Sequence, residues 1–387
     1  MARSKSPFRP GFGSSPPILA GRDSLIATFT DGLDDGPGSA ARVSFYTGPR
    51  GIGKTVLLNA LGAAAMERGW LVIHETCTPG LVERLTNHRL PDALATIAEA
   101  PAKRRATGLS VAGVGGVSWE NSPAPTPDLR GWTDRITDLL ADRESGLVIT
   151  LDEIHPHHLA ELVPLATVLQ HAIREDRQVA FAGAALSSSR AGILNGDSTT
   201  FLRRADWREI GRITATDAET ALREPIEQAG RAITPAASTA AAAVTGGYSF
   251  LIQLLGDLMW RNRPDEPLID LEDLRAAEPQ ASRRMGDSVI APEFRELSAV
   301  DRSYLLAVSL EGSPARTGKV AERLRVSAQY GNVYRQRLID AGVIQSVGHG
   351  LVDFVTPGMN EYVREHTLGD EIHLLNERMR LAGKQDR

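Results

Sequence analysis

The chain has 387 residues, of which 42% are hydrophobic and 24% charged, and carries a net charge of −5. Those values describe two or three globular domains with ample core, and they exclude a disordered or fibrous chain and a uniformly basic nucleic-acid binder. The single cysteine, Cys77, excludes an intrachain disulfide, and the absence of any run of about 18 apolar residues or of an apolar leader points to a cytoplasmic protein without a membrane partner.

Taken in order, residues 1–17 are rich in Gly, Pro, Ser and Arg and read as a flexible arm. A nucleotide-binding domain is expected over 18–215. Its first strand, Val43–Tyr46, runs into Gly48-Pro-Arg-Gly-Ile-Gly-Lys-Thr55, the pattern G-x-x-x-x-G-K-[ST], and the helix expected next starts at Thr55. Strand, glycine-rich turn and helix N-terminus make an anion cradle. Glycines let backbone N–H groups turn inward, and the helix dipole adds partial positive charge. Gly48, Pro49, Arg50, Gly51, Ile52, Gly53, Lys54, Thr55 and Val56 are the expected nucleotide contacts. Lys54 is suited to the β/γ-phosphates of ATP, and the Thr55 hydroxyl to Mg2+.

A second strand follows at Trp70–His74, then an amphipathic helical stretch from Leu81 with a break at Pro91. Residues 101–128 change character and read as an insertion, with an alternating glycine-rich segment at 109–119. Leu147-Val-Ile-Thr-Leu-Asp-Glu153 is an apolar strand ending in two carboxylates, downstream of the P-loop in the order of a Walker B element. Asp152 is expected to hold Mg2+, and Glu153 to orient or deprotonate the attacking water. Phosphoryl transfer also calls for positive charge near the γ-phosphate. Arg203 and Arg204 are the candidates, Arg190 the weaker one. The histidines 155, 157 and 158 read as a solvated helix start. The repeated β-α alternation predicts a doubly wound parallel sheet, an α/β P-loop NTPase fold.

From Asp217 the pattern is helical without strand signals, and a separate small all-α domain is expected over 216–290. A third unit, 291–366, shows three helices and a hairpin around Gly348-His-Gly350. That layout resembles a C-terminal winged helix-turn-helix. Its third helix, opened by Ser327, is expected to face Val333, Tyr334, Leu338 and Ile339 inward, leaving Gln329, Asn332, Arg335 and Gln336 for the base edges of double-stranded DNA. Between Arg316 and Asp340 six basic residues stand against two acidic ones. A helical tail, 367–387, closes the chain.

Ile18-Leu-Ala-Gly-Arg-Asp23, the P-loop, Leu151-Asp-Glu153, Phe201-Leu-Arg-Arg204 and Thr245-Gly-Gly-Tyr-Ser-Phe-Leu-Ile-Gln253 occur in one order. The whole resembles AAA+ ATPases of the origin-recognition-complex-like, archaeal-type clade, with affinities to STAND signalling ATPases. The resemblance spans about residues 15–290 and implies that Leu19 and Arg22 lie near the adenine and that 246–253 belongs to a lid closing on nucleotide. Ser249 stands where such lids commonly carry proline, and the strand at 180–185 lacks a polar sensor, so slow hydrolysis and a switch-like role are implied. Two functions are open at this stage. One is an ATP-dependent DNA-binding switch. The other is a STAND-like protein-interaction ATPase whose winged helix is structural or autoinhibitory, working as a homo-oligomer or with a protein partner.

Overall fold

In a computed structural model, residues 5–11, 13–99, 127–195 and 202–367 are described. Residues 101–126 of the expected insertion, Phe201, and 368–387 of the expected tail lie outside the described residues. The chain divides into two compact units. One takes Arg22–Gly48 and Lys54–Ile210, and the other takes the chain up to Gly21, Pro49–Gly53, and the chain from Gly211 onward.

The first unit is built on β1 (Val43–Thr47), β2 (Leu71–Thr76), β3 (Leu147–Ile154), β4 (Val179–Ala185) and β5 (Asp206–Glu209). All pair in parallel in the order β2-β3-β4-β1-β5. Every residue of β4 and the first five of β3 are buried, because a parallel sheet is covered by helices on its faces. Phe45 on β1 stacks on Trp207 of β5 at 4.3 Å and tilts against Phe181 of β4 at 5.3 Å, locking three neighbouring strands. Each of the two buried phenylalanines contributes about 1.5–3 kcal/mol through burial alone. This is the expected doubly wound parallel sheet.

One expected break is absent. The chain stays helical from Leu81 to Glu99 by widening into a π turn at Leu85–Arg89, just ahead of Pro91. A wider turn relieves the hydrogen bond that proline cannot donate. Cys77 is buried, and burial pushes its thiol up to about 11, so it is a packing residue and a poor nucleophile.

In the second unit, helices Ala215–Gln228, Pro235–Thr245, Ser249–Asn262 and Leu271–Met285 occupy the range read as helical from periodicity. It is not purely helical: β6 (Ala232–Ile233) and β7 (Leu268–Ile269) pair in parallel, two residues each, too short to leave a periodic signature. The N-terminal segment carries an anchor that composition does not reveal. Phe8 is only 3% exposed and fills the space over Gly256, where a Cβ would come within 2.5 Å of its ring. The Arg9 N–H donates to Gln253 Oε1 at 3.1 Å.

Helicity then continues through a π turn to Glu296, past the expected boundary at 290/291, and ends at Leu297. Beyond it lie helices Ala299–Glu311, Thr317–Leu324 and Ala328–Asp340, with β8 (Ala315–Arg316), β9 (Ile344–Gly348) and β10 (Leu351–Phe354) in the antiparallel order β8-β10-β9. Ser327 caps the third helix, accepting from the Tyr330 N–H.

The orientation of that third helix corrects the sequence reading. Gly331 and Leu338 are its buried residues, and Gly331 lies against Ala321 of the preceding helix. Val333, two positions on and so roughly 200° round the helix, is 60% exposed instead of inward-facing. Arg335 is four positions from Gly331 and is drawn inward. It is half-buried, donating to Asn332 Oδ1 at 3.2 Å and Ser346 Oγ at 3.5 Å. Gln329, Asn332 and Gln336 are exposed.

Candidate nucleotide site

The residues expected to bind phosphate and cation lie at or after the C-terminal ends of β1 and β3. Gly48 follows β1 and is buried; its N–H donates to the Ala185 carbonyl at the end of β4, fixing where the loop leaves the sheet. Lys54 opens the helix Lys54–Glu67, and its Nζ donates back to the Gly48 carbonyl at 2.9 Å. Thr55 Oγ1 donates to Asp152 Oδ2 at 2.5 Å, so the hydroxyl and carboxylate expected to share a divalent cation do lie together. Val56, in the first turn of the same helix, is half-buried.

Asp152 is positioned twice over. Its carbonyl accepts from the Cys77 N–H at 2.8 Å, extending the β2–β3 ladder, and its Oδ1 accepts from the Glu153 N–H at 2.8 Å. Past Leu151 the β3–β4 register shifts, and Glu153 takes φ 56°, the left-handed region that non-glycine residues avoid at a cost of about 1–2 kcal/mol. Simple alternation would put Asp152 and Glu153 on opposite faces. The bulge breaks it at the two acidic residues and leaves the Glu153 side chain exposed.

The loop tip, Pro49–Gly53, belongs to the second unit. Gly51 has φ 72° and Gly53 φ 98°. The carbonyls of Arg50, Gly51 and Ile52 accept from the Tyr248 hydroxyl, the Phe250 N–H at 3.1 Å and the Ser249 hydroxyl at 2.9 Å. The Arg50 guanidinium lies 2.9 and 3.2 Å from the Glu296 carboxylate oxygens. The resemblance put 246–253 near the nucleotide, but these bonds to the loop carbonyls and the Glu296 pair escaped the sequence reading. The glycine pair before Tyr248 was the available signal, and Glu296 left none.

The other expected members have surroundings of their own. Arg203 is exposed and donates to the Leu194 carbonyl at 3.2 and 3.3 Å; Arg204 is exposed. Arg190 lies over the Trp207 ring at 5.5 Å. Leu19 is half-buried in the second unit, while Arg22, 6% exposed, opens the helix Asp23–Asp35 in the first. Ser187, the first of three serines just past β4, donates to Glu209 Oε1 at 3.4 Å. Among the described residues no group of three or more His, Cys, Asp or Glu side chains could hold a metal by itself, and no helix is long and apolar enough to cross a membrane.

A glycine-rich loop, a lysine on its helix and a threonine bonded to an aspartate at the end of β3, two strands from β1, match the residue pattern of a P-loop. Residues 18–174 match the AAA ATPase domain. The fold of the chain is similar to that of a Walker-type ATPase from Pyrococcus abyssi, with 14% identity, a TM-score of 0.64, and 89% of this chain and 96% of that one covered. It is also similar to the ORC2 protein of Aeropyrum pernix, solved as ADPNP–ADP complexes, with 15% identity, a TM-score of 0.56, and 96% and 98% covered. Residues 287–363 match a domain family of unknown function, and no curated protein matches the chain.

Proposed function

We propose that the chain is an ATP-binding AAA+ ATPase that hydrolyses slowly and works as a nucleotide-dependent switch, with duplex DNA as the partner of its C-terminal unit. The observation that carries the nucleotide reading is the 2.5 Å bond between Thr55 and Asp152, which brings the two motifs to one point. The AAA ATPase match and the ADPNP–ADP complexes of the A. pernix protein support it.

Mg2+ fits the donor set. A hydroxyl and a carboxylate are hard oxygen ligands, and this ion is ordinarily held by one or two such groups together with water and substrate phosphates. When bound, it would neutralise charge on the phosphates. Thr55 and Asp152 would hold it. Lys54 exchanges the Gly48 carbonyl for a phosphate oxygen, and the backbone N–H groups of 51–55 bind the remaining oxygens. Glu153, exposed beyond the bulge, orients the attacking water and accepts its proton. An arginine completing the site is Arg203 or Arg204, supplied in cis or by a second copy.

The experiment is calorimetric titration with Mg-ADP. Lys54→Ala is expected to weaken binding about 10- to 150-fold, the loss of charge-assisted hydrogen bonds to phosphate. Unchanged affinity overturns the reading.

Three helices with an antiparallel three-stranded sheet support a winged helix. Its charge is partly spent. Lys319 pairs with Glu322, Arg323 with Glu311, and Arg337 with Asp301. Arg316 and Arg325 are exposed, and among the described residues neither has a carboxylate within ion-pair distance. Measured against salt, duplex affinity should fall with log salt, and Arg316→Ala and Arg325→Ala should each reduce the slope by about one. Salt-independent binding, or none, favours the second reading, a STAND-like switch in which this unit docks on protein. Exposed Val333 and Val347 are the observation on that side.

A further inference from the structure

Three successive carbonyls of the loop tip, those of Arg50, Gly51 and Ile52, each accept a hydrogen bond from the segment Tyr248–Phe250. In a planar trans peptide, the carbonyl of one residue and the N–H of the next point in opposite directions. Holding these three carbonyls toward Tyr248–Phe250 therefore turns the N–H groups of Gly51, Ile52 and Gly53 to the other side. That is the orientation an anion nest requires. The fit is close: at Gly51 a Cβ would come within 3.1 Å of the Tyr248 ring and 3.3 Å of Phe250 Cβ. Tyr248 is fully buried. The Arg50–Glu296 pair anchors the same loop from its side chain.

We propose that Tyr248 and Ser249 are positioning residues for nucleotide binding, setting the phosphate cradle before nucleotide arrives by fixing the outward face of the loop. The proposal rests on the nucleotide reading above. Neither residue touches the nucleotide; each acts through a carbonyl on the reverse side of the peptide that binds it. Ser249 begins the helix Ser249–Asn262, where proline is sterically acceptable but brings no hydroxyl. That makes Ser249→Pro a variant that keeps the helix start and removes only the donor.

The test is calorimetric titration of the full chain with Mg-ADP, alongside steady-state phosphate release from ATP. Ser249→Ala, Ser249→Pro and Tyr248→Phe should each weaken ADP binding about three- to tenfold, the loss of one hydrogen bond's contribution. Ser249→Thr should restore it. Turnover at saturating ATP should stay within about twofold, since the cradle holds ground and transition states alike. A fall in turnover with affinity unchanged overturns the proposal, as does wild-type affinity in all three weakening variants. Should Tyr248→Phe fail to fold, the Ser249 series decides. No ADP binding by the wild-type chain overturns the nucleotide reading and this proposal with it. Wild-type binding with unchanged variants overturns the positioning role alone.

Discussion

Replacing Glu153 by Gln should leave ADP binding intact and slow ATP hydrolysis by about 10²- to 10⁴-fold, the contribution of a positioned general base. The substitution is isosteric and sits at an exposed side chain, so nothing in the buried sheet is disturbed. It also keeps the left-handed backbone at φ 56°, so stability should change by less than about 0.5 kcal/mol. Asp152 continues to accept from the residue-153 N–H and from Thr55, so the cation-binding pair is retained. Glu153→Gly separates backbone from side chain. It relieves the left-handed strain and should raise the unfolding free energy by up to about 1 kcal/mol while losing the same turnover. A strained conformation that is stabilised by glycine, yet carries glutamate, is one held for chemistry. Phosphate release and urea denaturation measure the two effects. Undiminished turnover in Glu153→Gln would remove the residue from the role of base.

What could be read in advance follows from how local each feature is. Gly48–Thr55 was legible because a phosphate cradle needs particular residue types at fixed spacing, and Leu147–Glu153 because a strand buried on both faces is apolar throughout. Their meeting at Thr55 and Asp152 required only that both lie at the C-terminal end of a parallel sheet. The grip of Tyr248 and Ser249 on the loop tip joins positions about 200 apart in sequence, and nothing in either segment's own pattern encodes it. Arg42 makes the same point in the core. It is 1% exposed, donates to the Gly32 and Leu33 carbonyls and to Gln178, and lies over Trp70 at 5.0 Å. Burial depresses its pKa to about 10, yet in sequence it is one arginine among many. Val333 was misread for a different reason. Inward faces are inferred from bulky apolar residues, but this helix approaches its neighbour through Gly331, and a close contact at a glycine turns the valine to the outside.

Gly247→Ala should be the most destabilising single change in the segment that grips the loop, by about 2–5 kcal/mol. Gly247 has φ 74°, where a Cβ costs about 1–2 kcal/mol through local sterics. The larger effect is tertiary. A Cβ there would stand 2.1 Å from the Ile213 carbonyl oxygen and 3.1 Å from the Ile213 nitrogen and carbonyl carbon, all backbone atoms that cannot rotate away. The Ile213 N–H donates to the Gly247 carbonyl at 3.0 Å, so the two backbones are tied at the point where the new methyl must enter. Forcing them apart costs about 1–3 kcal/mol, as in other overpacked sites. It also displaces Tyr248, the next residue, and with it the bond to the Arg50 carbonyl. Loss of stability should therefore be accompanied by weaker ADP binding. Gly230 supplies the control. It has φ 85° in the same unit, with nothing within 4 Å of the position a Cβ would take, so Gly230→Ala should show the local cost alone and bind ADP normally. Urea denaturation of the two variants side by side measures the difference. If Gly247→Ala unfolds no more easily than Gly230→Ala, the contact with Ile213 does not constrain the turn, and the loop's carbonyls are not held by a rigid partner.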